Sequence, residues 1–223
     1  MGLNKSRGQM FPWVTHTFNP IRGCLYNCNY CYLSSFLSYE MTPRFQENEL
    51  KRGLGKNKVI FVGSTSDMWG EWITVDQIEA VMAHCENYPD NTYLFQSKNP
   101  RRFKDFRFPF KTILGTTIET NRQRLIKSMA PRVAERVEAM ATLVAKRKMI
   151  SVEPIMDFDL EEMVRIVSLI KPEFISIGSD SKKHGLEEPP WKKVQDLTNA
   201  LRGITEVREK PNLKRLRMEK DFS

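Results

Sequence analysis

Residues 19–32 read Asn19-Pro20-Ile21-Arg22-Gly23-Cys24-Leu25-Tyr26-Asn27-Cys28-Asn29-Tyr30-Cys31-Tyr32. Three cysteines in a C-x3-C-x2-C spacing can cover three corners of an iron–sulfur cubane from one loop, and such clusters are held by cysteine thiolates, normally four. The fourth cysteine of the chain, Cys85, is remote. One iron would keep an open coordination position, the arrangement of a cluster built for chemistry. A Cys3His zinc site with His16 as fourth ligand is the competing metal reading. It suffers because His16 falls inside a predicted strand and structural zinc motifs usually come as paired knuckles. A disulfide framework fits poorly, since a tight cysteine cluster in a reducing compartment is more often a metal site. Core packing fits poorly too, because Gly23, Asn27 and Asn29 give the loop no buried face.

Outward from this loop, short β-branched runs alternate with amphipathic stretches. Strands are predicted over Trp13–Phe18, which leads into the loop, and over Lys58–Val62, Thr92–Phe95, Thr112–Ile118, Met149–Val152 and Phe174–Ile177. Between them, Thr74 and Gln77 form a capping-box signal, and Val75, Ile78, Val81, Met82 and Cys85 share one helical face. On that face Cys85 reads as an inert core thiol. Pro131 can open the next helix as its first residue, with Val133, Val137, Met140 and Val144 as its stripe. Asp159 and Glu162 repeat the capping signal before Leu160, Met163, Val164, Val167 and Ile170. A last helix runs through Trp191, Val194, Leu197 and Leu201.

Parallel neighbours need a crossover, so this alternation predicts an α/β chain of parallel units. Six units in 223 residues point to a partial (β/α)6 TIM-like barrel, open on one side, because a full barrel takes about 250 residues. A doubly wound open sheet is the alternative. In both, ligands gather at the C-terminal ends of the strands. Residues 1–223 read as one domain with a basic tail from about residue 206. That tail carries Lys210, Lys214, Arg215, Arg217 and Lys220 and reads as a solvated helix or frayed end. Contact with a phosphate backbone is its sharper reading.

Hydrophobic residues make up 40% and charged residues 28%, an ordinary globular balance. No run approaches the ~18 apolar residues of a membrane span, and residues 1–8 lack the apolar region of a secretory signal. A cytoplasmic protein is therefore expected. Lysine and arginine (35) exceed aspartate and glutamate (27), giving +8, which favours an anionic partner such as a nucleotide or nucleic acid.

With the spacing, the aromatic Tyr30 before the third cysteine and the following β/α series, the chain resembles the radical S-adenosylmethionine (SAM) superfamily. More narrowly, Phe18–Cys24, Phe61–Trp69 and Ser151-Val152-Glu153-Pro154 look like a phage-associated radical SAM family of unassigned function. The resemblance implies a [4Fe-4S] cluster on Cys24, Cys28 and Cys31, with SAM on the open iron. Reductive cleavage of SAM would give methionine and a 5′-deoxyadenosyl radical that abstracts hydrogen from a substrate. It also implies an electron donor of flavodoxin or ferredoxin type.

By the same resemblance, Tyr30 meets the adenine. Ser64 and Ser66 supply oxygen acceptors where the superfamily often has Gly-Gly-Glu; this chain has Asp67 nearby instead. Thr117 and Glu119 face the ribose and carboxylate, Arg122 pairs with the methionyl carboxylate, and Glu153 stands at the same barrel height. Gly178 lets backbone approach the adenine, although the usual glycine-bearing fifth-strand motif is missing. Each has a plainer reading: loop packing for Tyr30, caps for the serines, a turn for Gly178. Lys98, Arg101 and Arg102, interleaved with Phe103, Phe106 and Phe108, suit a phosphate-bearing, stackable substrate or a solvated surface. The rival functions are a zinc-binding nucleic-acid module and a redox sensor whose cluster never cleaves SAM.

Overall fold

The computed structural model describes residues 3–6, 10–35 and 40–218. Among the described residues ten strands form: β1 (Asn4–Lys5), β2 (His16–Phe18), β3 (Ile21–Arg22), β4 (Arg44–Phe45), β5 (Val59–Val62), β6 (Thr92–Gln96), β7 (Thr112–Thr117), β8 (Lys148–Val152), β9 (Phe174–Ile177) and β10 (Glu206–Glu209). The same residues form five α-helices: α1 (Val75–Glu86), α2 (Val133–Thr142), α3 (Leu160–Ile170), α4 (Trp191–Arg202) and α5 (Lys214–Met218).

One sheet runs β1-β2-β5-β6-β7-β8-β9-β10, parallel from β2 onward, with β1 antiparallel at its edge. Each parallel strand lies beside its predecessor in the sheet, so the winding never reverses. That order lacks the switch point of a doubly wound sheet and makes the sheet an arc of barrel, open between its two edges. β3 and β4 form a separate small hairpin-like pair.

Side-chain alternation assigns the two faces. Ile60 and Val62, Tyr93 and Phe95, Ile150 and Val152, and Ile175 and Ile177 join helix residues such as Ile78, Met140, Val167 and Leu197 in the main core. The other parity, Val59, Phe61, Leu94, Ile113, Met149 and Phe174, packs with Met10, Phe11, Trp13 and Val14 in a second cluster. Residues 10–14 thus plug the inside of the arc. This shortens the expected first strand: Trp13 and Val14 serve the plug, and only His16–Phe18 pair as a strand.

Other expectations change as well. The tail adds strand β10, parallel to β9 in register Val207↔Ile175, so it is neither a frayed end nor a continuous helix. Lys210 is buried at 5% exposure; residues 219–223, with Lys220, lie outside the described residues. α2 ends at Thr142, which leaves Val144 fully exposed and outside the stripe. Val75 is half exposed at the first turn of α1, whereas the Thr74–Gln77 capping box forms in both directions. At α3 the Asp159 side chain makes no cap bond, because its carboxylate is taken by Asn121 and Arg122. Cys85 is buried in the core. No helix among the described residues is long and apolar enough to cross a membrane.

Candidate active site

The cysteine loop leaves the β3–β4 pair at a point that only glycine can occupy. Gly23 has φ +83°, and a Cβ there would lie 2.2 Å from the Thr42 carbonyl oxygen. Its N–H donates to the Thr65 carbonyl and that of Cys24 to the Met41 carbonyl. Ser66 Oγ closes the other side by donating to the Gly23 carbonyl at 2.6 Å. Asn27 takes the left-handed conformation, φ 47°, which asparagine tolerates, and Cys31 N–H then turns back to the Cys28 carbonyl.

Cys24, Cys28 and Cys31 are free, half-buried thiols on the wall of one cavity of about 480 Å3. The cavity sits at the C-terminal strand ends. Tyr30, Ser64, Ser66, Asp67, Gln96, Lys98, Thr117, Ser151 and Glu153 share its wall, and residues 179–182 and 184 with Lys210 close the far side. Met10, Phe11 and Phe61 bring the inner plug to its lining. Burial pushes the Cys24 thiol up to about 12, with Asp67 adding to it. Iron binding to such a thiol must release its proton. Cys28 Sγ lies 3.1 Å from Ser128 Oγ. His16, the candidate zinc ligand, begins β2 beside Lys5 and Lys58 and is not part of this wall. Among the described residues no three His, Cys, Asp or Glu side chains converge on a single ion. Three thiols on one short loop facing one cavity are a donor set that fits a three-thiolate cluster.

Behind the thiols lies a buried charged network. Glu119 and Arg136 are both fully buried and pair at 2.9 Å. Tyr30 donates its hydroxyl to Glu119, and Lys98 Nζ stands 3.6 Å from Glu119 and 5.3 Å from the Tyr30 ring centroid. Burial works against the Glu119 charge, but Arg136, Lys98 and Tyr30 outweigh it and hold the carboxyl below its ordinary range. Burial likewise opposes the Lys98 ammonium, yet Cys28, Glu119 and Asp67 together raise it. Asp67 accepts from Ser97 Oγ and the Lys98 N–H, both at 2.7 Å, and burial raises its carboxyl despite these bonds.

The expected site residues therefore divide. Tyr30, Ser64, Ser66, Lys98, Thr117 and Glu153 meet at the cavity, with Ser64 Oγ donating to Asn19 at 3.0 Å. Glu119 is sealed behind it by Arg136. Arg122 is held by Asp157 and Asp159 and lies off the cavity wall. Gly178 also lies off it, under Glu153: a Cβ there would come within 2.5 Å of Glu153 Oε1. Arg101 is exposed, 3.9 Å from Glu71. Arg102 spends its guanidinium on the Gly70 and Ile73 carbonyls at 2.6 and 3.1 Å, so it staples a turn and does not face the cavity.

Several residues at this site were not singled out as site residues by the sequence. Gln96 donates to Thr117 Oγ1 at 2.9 Å while its buried Oε1 accepts from nothing among the described residues; the alternation of β6 could have placed it inward. Asp180 accepts from His184 Nδ1 at 2.7 Å. Lys210 donates to Glu153 Oε2 at 2.6 Å and Asn212 to Glu153 Oε1 at 2.8 Å.

A family model described as Protein of unknown function (DUF5131) matches residues 9–196. No curated protein matches the chain. Among solved structures, a spore photoproduct lyase variant with bound AdoMet and dinucleoside spore photoproduct aligns with a TM-score of 0.69 at 11% identity, covering 93% of this chain and 80% of that one. Spore photoproduct lyase complexed with dinucleoside spore photoproduct gives 0.68 at 11%, covering 91% and 78%. A further variant of that enzyme gives 0.67 at 12%, covering 93% and 80%. The partial open barrel is thus a fold that this chain shares with spore photoproduct lyase.

Proposed function

The chain belongs to the family described as Protein of unknown function (DUF5131), and we propose that it is a radical SAM enzyme acting on a nucleotide or nucleic-acid substrate. The observation that carries this reading is three free thiols facing one cavity at the C-terminal ends of an open barrel's strands. Cys24, Cys28 and Cys31 would hold a [4Fe-4S] cluster. Bound there, the cluster would supply the one electron that cleaves SAM to methionine and a 5′-deoxyadenosyl radical, which would take hydrogen from the substrate.

The remaining work falls to this chain's own side chains. Glu153, an acceptor on the wall that Gln96 also lines, suits the amino group or a ribose hydroxyl of SAM. Ser64, Ser66 and Thr117 add hydroxyls at the strand ends. Tyr30, fixed by Glu119 and Lys98, is a rigid aromatic wall at the cysteine loop, and its hydroxyl is already spent on Glu119. The plug of Met10 and Phe11 closes the inside of the arc against water. The net charge of +8 supports an anionic substrate, as does the dinucleoside bound by spore photoproduct lyase. An electron donor of flavodoxin or ferredoxin type completes the reading, in the cytoplasm.

Anaerobic reconstitution with iron and sulfide tests it. The protein should turn brown, absorb near ~400 nm and bind about four irons. Dithionite with SAM should yield 5′-deoxyadenosine, and Cys28→Ala should abolish that yield. A colourless protein, or a Cys28→Ala variant as productive as the parent, would end the proposal; a cluster that yields no 5′-deoxyadenosine would favour the redox sensor.

A further inference from the structure

The cysteine-loop segment carries no acidic residue of its own and is backed by a second segment of the same character. Neither residues 24–35 nor residues 121–134 contain Asp or Glu. The second segment is strapped to the first: Asn29 N–H donates to the Lys127 carbonyl at 3.0 Å and Met129 N–H to the Tyr26 carbonyl at 2.7 Å. Between those straps sits Ser128, whose Oγ lies 3.1 Å from Cys28 Sγ and donates to the Tyr26 carbonyl at 3.2 Å. The residues flanking Ser128 face outward. Lys127 is exposed, Met129 is 69% exposed, and Leu25 beside Tyr26 is 43% exposed. Arg132 is exposed at the start of α2. The next acid along the chain, Glu135, is turned onto the Arg132 backbone N–H at 2.7 Å.

Two apolar side chains among unopposed cations, one residue from a cluster ligand's hydrogen-bond partner, make an unusual surface. Met129 is suited to an adaptable contact, and basic rim residues steer an acidic partner and fix its register. Electron transfer weakens steeply with distance, and the cavity itself is needed for SAM and substrate. A protein donor must therefore approach the cluster from outside the loop, and this face gives the approach through Cys28.

We propose that Leu25, Lys127, Met129 and Arg132 form the docking face for an acidic one-electron carrier protein whose redox group lies at its surface. The carrier is oxidised by one electron and the cluster is reduced by one. This docking rests on the cluster reading above. A fold-only role for the segment would leave Lys127 and Met129 open to any neutral replacement.

The test uses the full chain, cluster-free and reconstituted, with a flavodoxin as probe. Calorimetric titration should show binding that fades as salt rises from about 0.05 to 0.5 M. The double variant Lys127→Glu with Arg132→Glu should bind about tenfold more weakly or worse, with unchanged thermal unfolding. Flavodoxin-driven formation of 5′-deoxyadenosine should fall in step, while the dithionite-driven yield stays at the parent level. Absence of binding, or equal binding by the double variant, overturns the proposal. So does a duplex DNA oligonucleotide that displaces flavodoxin and is itself lost in the double variant, which would make this a nucleic-acid face. Because the binding arm works on cluster-free chain, a protein that binds flavodoxin but takes up no iron separates failure of the cluster reading from failure of the docking face.

Discussion

Glu119 and Glu153 follow neighbouring strands, β7 and β8, and point to the same end of the barrel, yet the fold uses them in different ways. Glu119 is fully buried and locked to Arg136 from α2, which also donates to the Thr117 carbonyl at 3.0 Å. Glu153 stays at the cavity, 18% exposed, with Lys210 and Asn212 behind it. A strand-end carboxylate is therefore not a ligand contact by position alone. What decides is whether a helix delivers a buried cation to it. The Arg136 helix makes Glu119 a support for Tyr30 and the loop; the tail strand β10 makes Glu153 a held but reachable acceptor.

The sharpest way to break this comparison is to remove Glu119. Arg136 would be left buried without its anion, and losing one partner of a buried pair costs about 3–5 kcal/mol. Glu119→Ala should show that loss in urea unfolding. It should also change the acid limb. A carboxyl held below its ordinary range stabilises the fold above the unfolded value, about 4.3, and loses that contribution as pH falls through the folded value. The variant should therefore unfold with a flatter acid dependence than the parent. A loss under about 1 kcal/mol, the size of an exposed pair, would mean that Glu119 is not the anchor described.

This pairing also marks where the sequence stops being legible. Strands β5 to β9 could be read to within a residue or two because their apolar runs are bounded by turns and helices, and the cysteine loop could be read because its spacing is chemical. Arg136 could not. A basic residue in the middle of an amphipathic helix reads as solvent-facing, and only the packing of α2 over the end of β7 turns it inward. Strand β10, Glu206-Val207-Arg208-Glu209, offers a single apolar residue, since it closes the open edge of the arc with charged side chains around it. One of them, Arg208, stacks 3.5 Å from the Phe174 ring centroid, a cation–π contact that no periodicity announces. With β10 unread, Lys210 remained a tail charge, and the far wall of the cavity stayed invisible.

A middle-sized effect is expected at Gly178. The Cβ of Gly178→Ala would fall 2.5 Å from Glu153 Oε1 and 3.0 Å from Asn212 Oδ1, so the carboxylate must leave its place between Asn212 and Lys210. Overpacking of this kind costs about 1–3 kcal/mol. Thermal unfolding should register the loss, and equilibrium dialysis of SAM with reconstituted protein should show weakened binding. If stability falls while SAM binding is untouched, Glu153 belongs with Glu119 as a support and the contrast between the two collapses.

The smallest stability effect should come from Glu153→Gln, which keeps the shape and one acceptor for Lys210. The pair borders a cavity open to water, so removing its charge should cost roughly 1 kcal/mol, well below the Glu119 loss. Its effect on binding should run the other way. A carboxylate that accepts from a cationic amino group makes a charge-assisted bond, worth about 1.5–3 kcal/mol, so SAM affinity should drop about tenfold in Glu153→Gln. The same dialysis on an unfolding-matched surface variant, Arg165→Ala, controls for stability alone, because its Glu162 partner lies on the exposed side of α3. Small stability loss with large affinity loss is the signature of a wall residue, the reverse is the signature of a support, and Glu153 must give the first for the cavity to be a SAM site.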